Sequence, residues 1–123
     1  MKTIEFESKK TNPDFVDVQD IVAEELDKKR GEVQLIDVRQ PEEFVGELGH
    51  IPGAKLIALG TLPENLLALS KDSPIVFICR SGGRSARAAA FAYQSGFDKV
   101  YNLKGGMIRW NELQLVVEKS NGK

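Results

Sequence analysis

Apolar and polar positions fall into short blocks whose spacing keeps changing along the chain. Residues 1 to 13 are polar and mixed in charge, and they close on Asn12-Pro13, a turn signal. Phe15, Val16 and Val18 predict a short first strand. Asp17 or Asp20 is then placed to cap a helix whose stripe runs through Ile21, Val22, Glu25 and Leu26. Lys28-Lys29-Arg30-Gly31 ends that helix with positive charge and a glycine. Residues 33 to 38 read as a largely buried strand. After Arg39 the stretch Pro41-Glu42-Glu43-Phe44 predicts one helical turn, with proline and carboxylates at its start.

Residues 46 to 53 hold three glycines and Pro52 and read as irregular, and residues 54 to 58 as a short strand. Leu62, Leu66, Leu67 and Leu69 mark one side of a second helix, closed by Ser70-Lys71-Asp72-Ser73. Pro74-Ile75-Val76-Phe77-Ile78 then forms an apolar run of the kind buried on both faces of a parallel sheet. It meets the only cysteine, Cys79, and an alanine-rich segment of high helix propensity, residues 86 to 92. Gly96 ends that helix, residues 99 to 103 make a last strand, and residues 107 to 113 a last helix containing Trp110. The residues from Glu118 onward read as frayed. Strands alternating with helices over short spacings predict an α/β fold with a mainly parallel sheet.

A length of 123 residues fits a single domain spanning 1–123, with its core at about residues 15 to 113 and polar tails. Composition is that of a soluble globular chain, 41% hydrophobic and 28% charged. A formal net charge of -1 supplies no basic field for nucleic acid or membrane, and neither is expected as a partner. No apolar stretch is long enough to span a bilayer. Residues 1 to 7 lack the apolar core of a signal peptide, so a cytoplasmic location is expected. One cysteine makes neither an intrachain disulfide nor a cysteine cluster for a metal.

The chemistry concentrates in Cys79-Arg80-Ser81-Gly82-Gly83-Arg84-Ser85. This loop lies where a strand ends and a helix begins, and in such sheets ligands bind at the carboxyl ends of strands. A helix start offers unpaired N–H groups and the positive end of its dipole. A thiol there is expected to shed its proton more readily than a free cysteine. Gly82 and Gly83 let successive N–H groups converge into an anion cradle, and Arg80 and Arg84 add fixed positive charge. A core cysteine needs none of this, so Cys79 reads as a nucleophile. A hydrolase would need a histidine base, and the one histidine, His50, sits in the turn Gly49-His50-Ile51-Pro52-Gly53, where a structural role is expected. Dithiol redox chemistry would need a second cysteine. A cysteine phosphatase and a sulfur carrier remain. Arg84 follows Cys79 by five positions, one fewer than in the familiar phosphatase signature, and the tighter loop favours a single sulfur over a tetrahedral phosphate.

Three motifs in order then resemble the single-domain rhodanese-like sulfurtransferases across residues 15 to 113. They are Asp37-Val38-Arg39 with Glu42-Glu43-Phe44 and residues 49 to 54; Cys79 to Arg84; and Gly96-Phe97, Val100-Tyr101-Asn102-Leu103 and Gly105-Gly106-Met107 with Trp110. The resemblance implies a five-stranded, mainly parallel sheet with helices on both faces. It implies transfer of sulfane sulfur from a small anionic donor (thiosulfate, polysulfide or a persulfide) to cyanide, a small thiol or a protein acceptor. The sulfur would travel as a Cys79 persulfide, with no cofactor and no metal. The loop residues Arg80, Ser81, Gly82, Gly83, Arg84 and Ser85 would hold it. The arginines would attract the donor and balance charge, and the serines would donate hydroxyl hydrogen bonds, unless Ser85 only caps the helix. Asp37 and Arg39 would form an ion pair in the pocket wall, Arg87 would lie on the surface, and Trp110 and Met107 in the core. The alternatives are a phosphatase or arsenate reductase on the same kind of scaffold, and a non-catalytic binding module.

Overall fold

The computed structural model describes residues 4–119. Along the chain the strands are β1 (Lys10–Thr11), β2 (Gln19–Ile21), β3 (Gln34–Asp37), β4 (Lys55–Leu56), β5 (Ile75–Ile78) and β6 (Val100–Leu103). The α-helices are α1 (Ala23–Lys29), α2 (Pro41–Phe44), α3 (Leu62–Asn65), α4 (Gly83–Gln94) and α5 (Gly106–Glu112). The sheet runs β1-β2-β6-β5-β3-β4, and only the β1–β2 pair is antiparallel.

All four residues of β5 are buried, which explains its unbroken apolar run: helices cover both faces and leave no side for a polar residue. The two-residue period of the strands divides them between two cores. Ile75, Phe77 and Cys79 face one core, with Ile36, Leu62, Leu66 and the alanines of α4. Val76 and Ile78 face the other, with Leu26, Leu103, Met107 and Trp110. Ala86, Ala88, Ala89, Ala90 and Ala92 are buried, and their small side chains let α4 lie close over β5 and β6. That helix ends in a Schellman arrangement. The N–H of Gly96 bonds the Tyr93 carbonyl and that of Phe97 the Ala92 carbonyl, with Gly96 at φ +102° and Phe97 packed into the core.

Several elements depart from the sequence expectations. Among the described residues six strands form, not five, because the polar pair Lys10–Thr11 adds an antiparallel edge that carries no apolar signal. Phe15, Val16 and Val18 are not a strand. The Asn12 side chain accepts the N–H groups of Asp14 and Phe15 and folds the segment into a turn, leaving Val16 83% exposed. The strand starts at Gln19 and includes Ile21, and α1 begins behind Val22 with no side-chain cap, so neither Asp17 nor Asp20 caps it. The leucine stripe breaks into α3 and a 3-10 turn, which keeps Leu62, Leu66 and Leu69 inside and turns Leu67 out. Glu118 is not frayed: it exchanges both backbone hydrogen bonds with His50. Residues 120 to 123, the rest of the expected frayed end, lie outside the described residues. Among the described residues no helix is long and apolar enough to cross a membrane.

The N-terminal segment contributes a core residue that its polar neighbours mask. Phe6 is 1% exposed and meets the Tyr101 ring edge-on at 4.9 Å, with the Lys29 ammonium 5.4 Å from its ring centre. Phe6→Ala is expected to lower stability by about 3 kcal/mol in denaturant unfolding, the transfer and cavity cost of a buried phenylalanine. A loss under about 1 kcal/mol would place the segment outside the core.

Candidate active site

Strand β5 delivers Cys79 to its carboxyl end on the α4 face, where the residue is 1% exposed. The chain then turns through Arg80 and Ser81 to Gly82, whose φ of +109° lies in the left-handed region that favours glycine. This turn brings the N–H of Gly82 back to the Cys79 sulfur at 3.1 Å, and the Ser85 hydroxyl meets the same sulfur at 3.3 Å. Helix α4 starts at Gly83, and its first intrahelical bond is Ala86 N–H to the Gly82 carbonyl. The N–H groups of Gly83, Arg84 and Ser85 therefore have no acceptor within the helix, and the positive end of its dipole sits beside the sulfur.

Helix α5 sets the other side of the loop. The N–H of Met107 bonds the Cys79 carbonyl at 2.9 Å, and that of Ile108 bonds the Arg80 carbonyl at 3.0 Å. In a trans peptide the N–H points opposite to the carbonyl before it. Drawing these two carbonyls toward α5 thus turns the N–H groups of Arg80 and Ser81 away from it. Gly106 makes this approach possible: at φ +55°, a Cβ there would lie 2.5 Å from both carbonyl oxygens.

The two loop arginines differ. Arg84 is committed, its Nη1 and Nη2 donating to the two Glu43 carboxylate oxygens at 2.8 and 2.9 Å, so its charge is already balanced. Glu43 also accepts the Gln40 N–H at the start of α2. The Arg84 guanidinium, acting against partial burial and helped by that N–H, draws the Glu43 carboxyl down to about 2. The same hydrogen bonds hold the Arg84 guanidinium above its ordinary value. Arg80 is exposed and borders a cleft of about 210 Å³ with Arg39, Glu42, Glu47 and Leu48. Arg87 is exposed, 5.9 Å from the centre of the Phe15 ring.

Asp37 and Arg39 form a buried pair. The guanidinium donates from Nε and Nη2 at 2.9 and 2.8 Å, and Nη2 also reaches the Gly49 carbonyl at 2.7 Å. The pair ties the end of β3 to the loop before β4, and Arg39 contributes to the cleft wall. His50 stacks on Phe44 at 3.6 Å, its Nδ1 lies 2.7 Å from the Phe44 carbonyl, and its Nε2 faces Glu118. Its contacts are structural ones. Met107 and Trp110 are buried, with the Trp110 indole N–H on the Val116 carbonyl. Among the described residues no group of three or more His, Cys, Asp or Glu is arranged to hold a metal ion.

Glu43, Asn102 and Gly106 each stand inside a sequence motif with no role marked by the pattern, and Asp20 is marked there only as a candidate helix cap. Asn102 supports the site from beneath. It accepts the Ser85 hydroxyl at 2.5 Å and donates to Asp20 at 2.9 Å. The available signal was a polar residue at a position where the last strand is otherwise buried.

Residues 19–113 match the family model described as Rhodanese-like domain. Over 77 residues the chain is 44% identical to the uncharacterized protein YqhL of Bacillus subtilis, an alignment covering 63% of this chain and 60% of that one. It is 36% identical over 80 residues to the thiosulfate sulfurtransferase GlpE of Pseudomonas aeruginosa, covering 65% and 71% of the two chains. The crystal structure of a rhodanese-related protein from Thermoplasma volcanium superposes with a TM-score of 0.76 at 30% identity, covering 82% of this chain and 98% of that one.

The geometry yields two expected outcomes. Gly106→Ala is expected to cost more than about 1 kcal/mol in thermal or denaturant unfolding, because it forces both a clash and a strained φ. Gly83→Ala, with open space around its Cβ at a helix start, is expected to be neutral or stabilising, and equal losses in the two variants would sink this account. Glu43 titrates near its ordinary 4.5 once unfolded and at about 2 when folded. The unfolded chain therefore binds the extra proton between those values, and the stability from the Arg84 bridge, complete above about 4.5, is lost as pH falls towards 2. The stability advantage of the wild type over Glu43→Gln should shrink across that window in acid unfolding, and a constant difference would show that the bridge contributes nothing.

Proposed function

The chain belongs to the rhodanese-like domain family, and we propose that it is a sulfurtransferase carrying sulfane sulfur on Cys79. The observation behind this reading is the Cys79 sulfur at the floor of a six-residue loop, met by the Gly82 N–H and the Ser85 hydroxyl beside the start of α4. Those donors suit a compact sulfur anion. The thiolate attacks the outer sulfur of thiosulfate: the Cys79 S–S bond forms as the bond to the sulfonate breaks, and its electron pair leaves on sulfite. The persulfide anion rests among the loop N–H groups until cyanide or a thiolate takes the terminal sulfur and restores the Cys79 thiolate. Charge balances in both steps, and no cofactor or metal is called for. Thiosulfate as donor is supported by the name of the Pseudomonas aeruginosa relative and by the exposed Arg80, and a polysulfide or persulfide donor would answer the same charge. We place the activity in a single domain, working in the cytoplasm; its core reaches beyond the expected residues 15 to 113 to take in Phe6.

A phosphatase or arsenate reductase would need an arginine facing the oxygens of a tetrahedral anion, and Arg84 is engaged by Glu43. A purely binding module would have no use for donors aimed at a sulfur.

Mass spectrometry of protein incubated with thiosulfate is expected to show the gain of one sulfur atom on Cys79, reversed by cyanide with release of thiocyanate. Cys79→Ala should abolish both the adduct and turnover. Absence of the adduct with thiosulfate, polysulfide and low-molecular-weight persulfides would reject the proposal.

A further inference from the structure

Beneath the sulfur runs a chain of buried hydrogen bonds whose proton count does not close, and nothing in the sulfur-transfer chemistry accounts for it. Asn12 fixes one end: its Oδ1 accepts the N–H groups of Asp14 and Phe15, so its Nδ2 points at Asp20 Oδ1 at 2.8 Å. The Asp20 carboxylate only accepts. Asn102 must therefore turn Nδ2 towards Asp20, at 2.9 Å, and this leaves its Oδ1 facing the Ser85 hydroxyl at 2.5 Å. A carbonyl oxygen also only accepts. The single Ser85 proton thus has two claimants, Asn102 Oδ1 and the Cys79 sulfur, while all of Asn12, Asp20, Ser85 and Asn102 are buried.

We propose that Asn102, oriented by Asp20, is a positioning residue that competes with the Cys79 sulfur for the Ser85 proton. With a neutral thiol, the hydroxyl proton sits on Asn102 and the Ser85 oxygen is free to accept from S–H. With a thiolate or persulfide, the hydroxyl rotates to donate to sulfur, and the Asn102 carbonyl loses its donor. The network therefore penalises the anionic sulfur by about one buried hydrogen bond and restrains the resting cysteine. Leu103 and Gly105 follow Asn102 in the chain, so the same segment carries this device and leads into α5.

The inference builds on Cys79 as the reacting sulfur, but its test needs no sulfur transfer. The rate of Cys79 alkylation by iodoacetamide is measured at mildly acidic pH, where thiolate is the minor form of an ordinary cysteine. Asn102→Leu withdraws the competing carbonyl and is expected to speed alkylation by roughly two- to tenfold, the equivalent of one hydrogen bond. Asp20→Leu, which lets the Asn102 amide turn its N–H towards Ser85, should act in the same direction. Ser85→Ala, which deletes the donor, should slow the reaction. In the Ser85→Ala background Asn102→Leu should have no effect, and a merely structural role would not produce that pattern. Folding of each variant is checked by circular dichroism. Asn102→Ala, which removes the carbonyl without adding another acceptor, carries the same expectation should the leucine not be accommodated. Slower or unchanged alkylation in a folded Asn102 variant, or an effect of equal size without the Ser85 hydroxyl, overturns the proposal. If the alkylation pattern holds while no persulfide forms, the proton competition stands and the sulfurtransferase reading falls.

Discussion

Two hydrogen bonds, from the first turn of α5 to the carbonyls of Cys79 and Arg80, determine which way the chain faces as it leaves the sheet. A loop of this length has N–H groups and carbonyls in equal number, and left alone it would present both to whatever enters. Satisfying the carbonyls from behind removes the acceptors and leaves donors on the open side. Strand β5, buried on both faces, holds the origin of the loop, and the alanines of α4 hold its far end. The site depends on three elements brought together by one parallel sheet, and its polarity comes from the backbone more than from charged side chains.

The charged groups near the loop are largely spent on one another. Arg39 is neutralised by Asp37 in a buried pair, and Arg84 by Glu43 across to α2. Replacing one member of the buried pair would leave an uncompensated charge in the interior, the situation in which such pairs matter most. Arg80 stands apart, exposed at the rim. The sequence showed several cations clustered about a cysteine. Folding turns most of them into struts between elements, so long-range attraction of an anion rests on fewer charges than a count of arginines suggests.

The fold was legible where the period was strong. The apolar run of β5, the alanine helix, the glycine that ends it and the turn at Pro41 all stand where residue pattern alone puts them, and the three motifs named the family. Two of the misreadings come from partners distant in sequence: Phe6 is buried because β6 and α1 pass over it, and Glu118 is ordered by His50. Val16 was misread locally, because the Asn12 side chain folds the residues after it into a turn in place of a strand. At the site, the cysteine, its glycines and the helix start could be read locally. The bonds from Arg84 to Glu43, from Ser85 to Asn102 and from Asn102 to Asp20 join residues 17 to 82 positions apart, and no local pattern announces them.

Both margins of the sheet are two-residue strands, β1 and β4, and each carries a lysine, Lys10 and Lys55. Such margins offer almost no free ladder to another chain, and a charge at each discourages stacking of sheets edge to edge. The central strands, apolar enough to aggregate if bared, are shielded by this trim. A chain trimmed this way leaves another chain little backbone on which to extend its sheet.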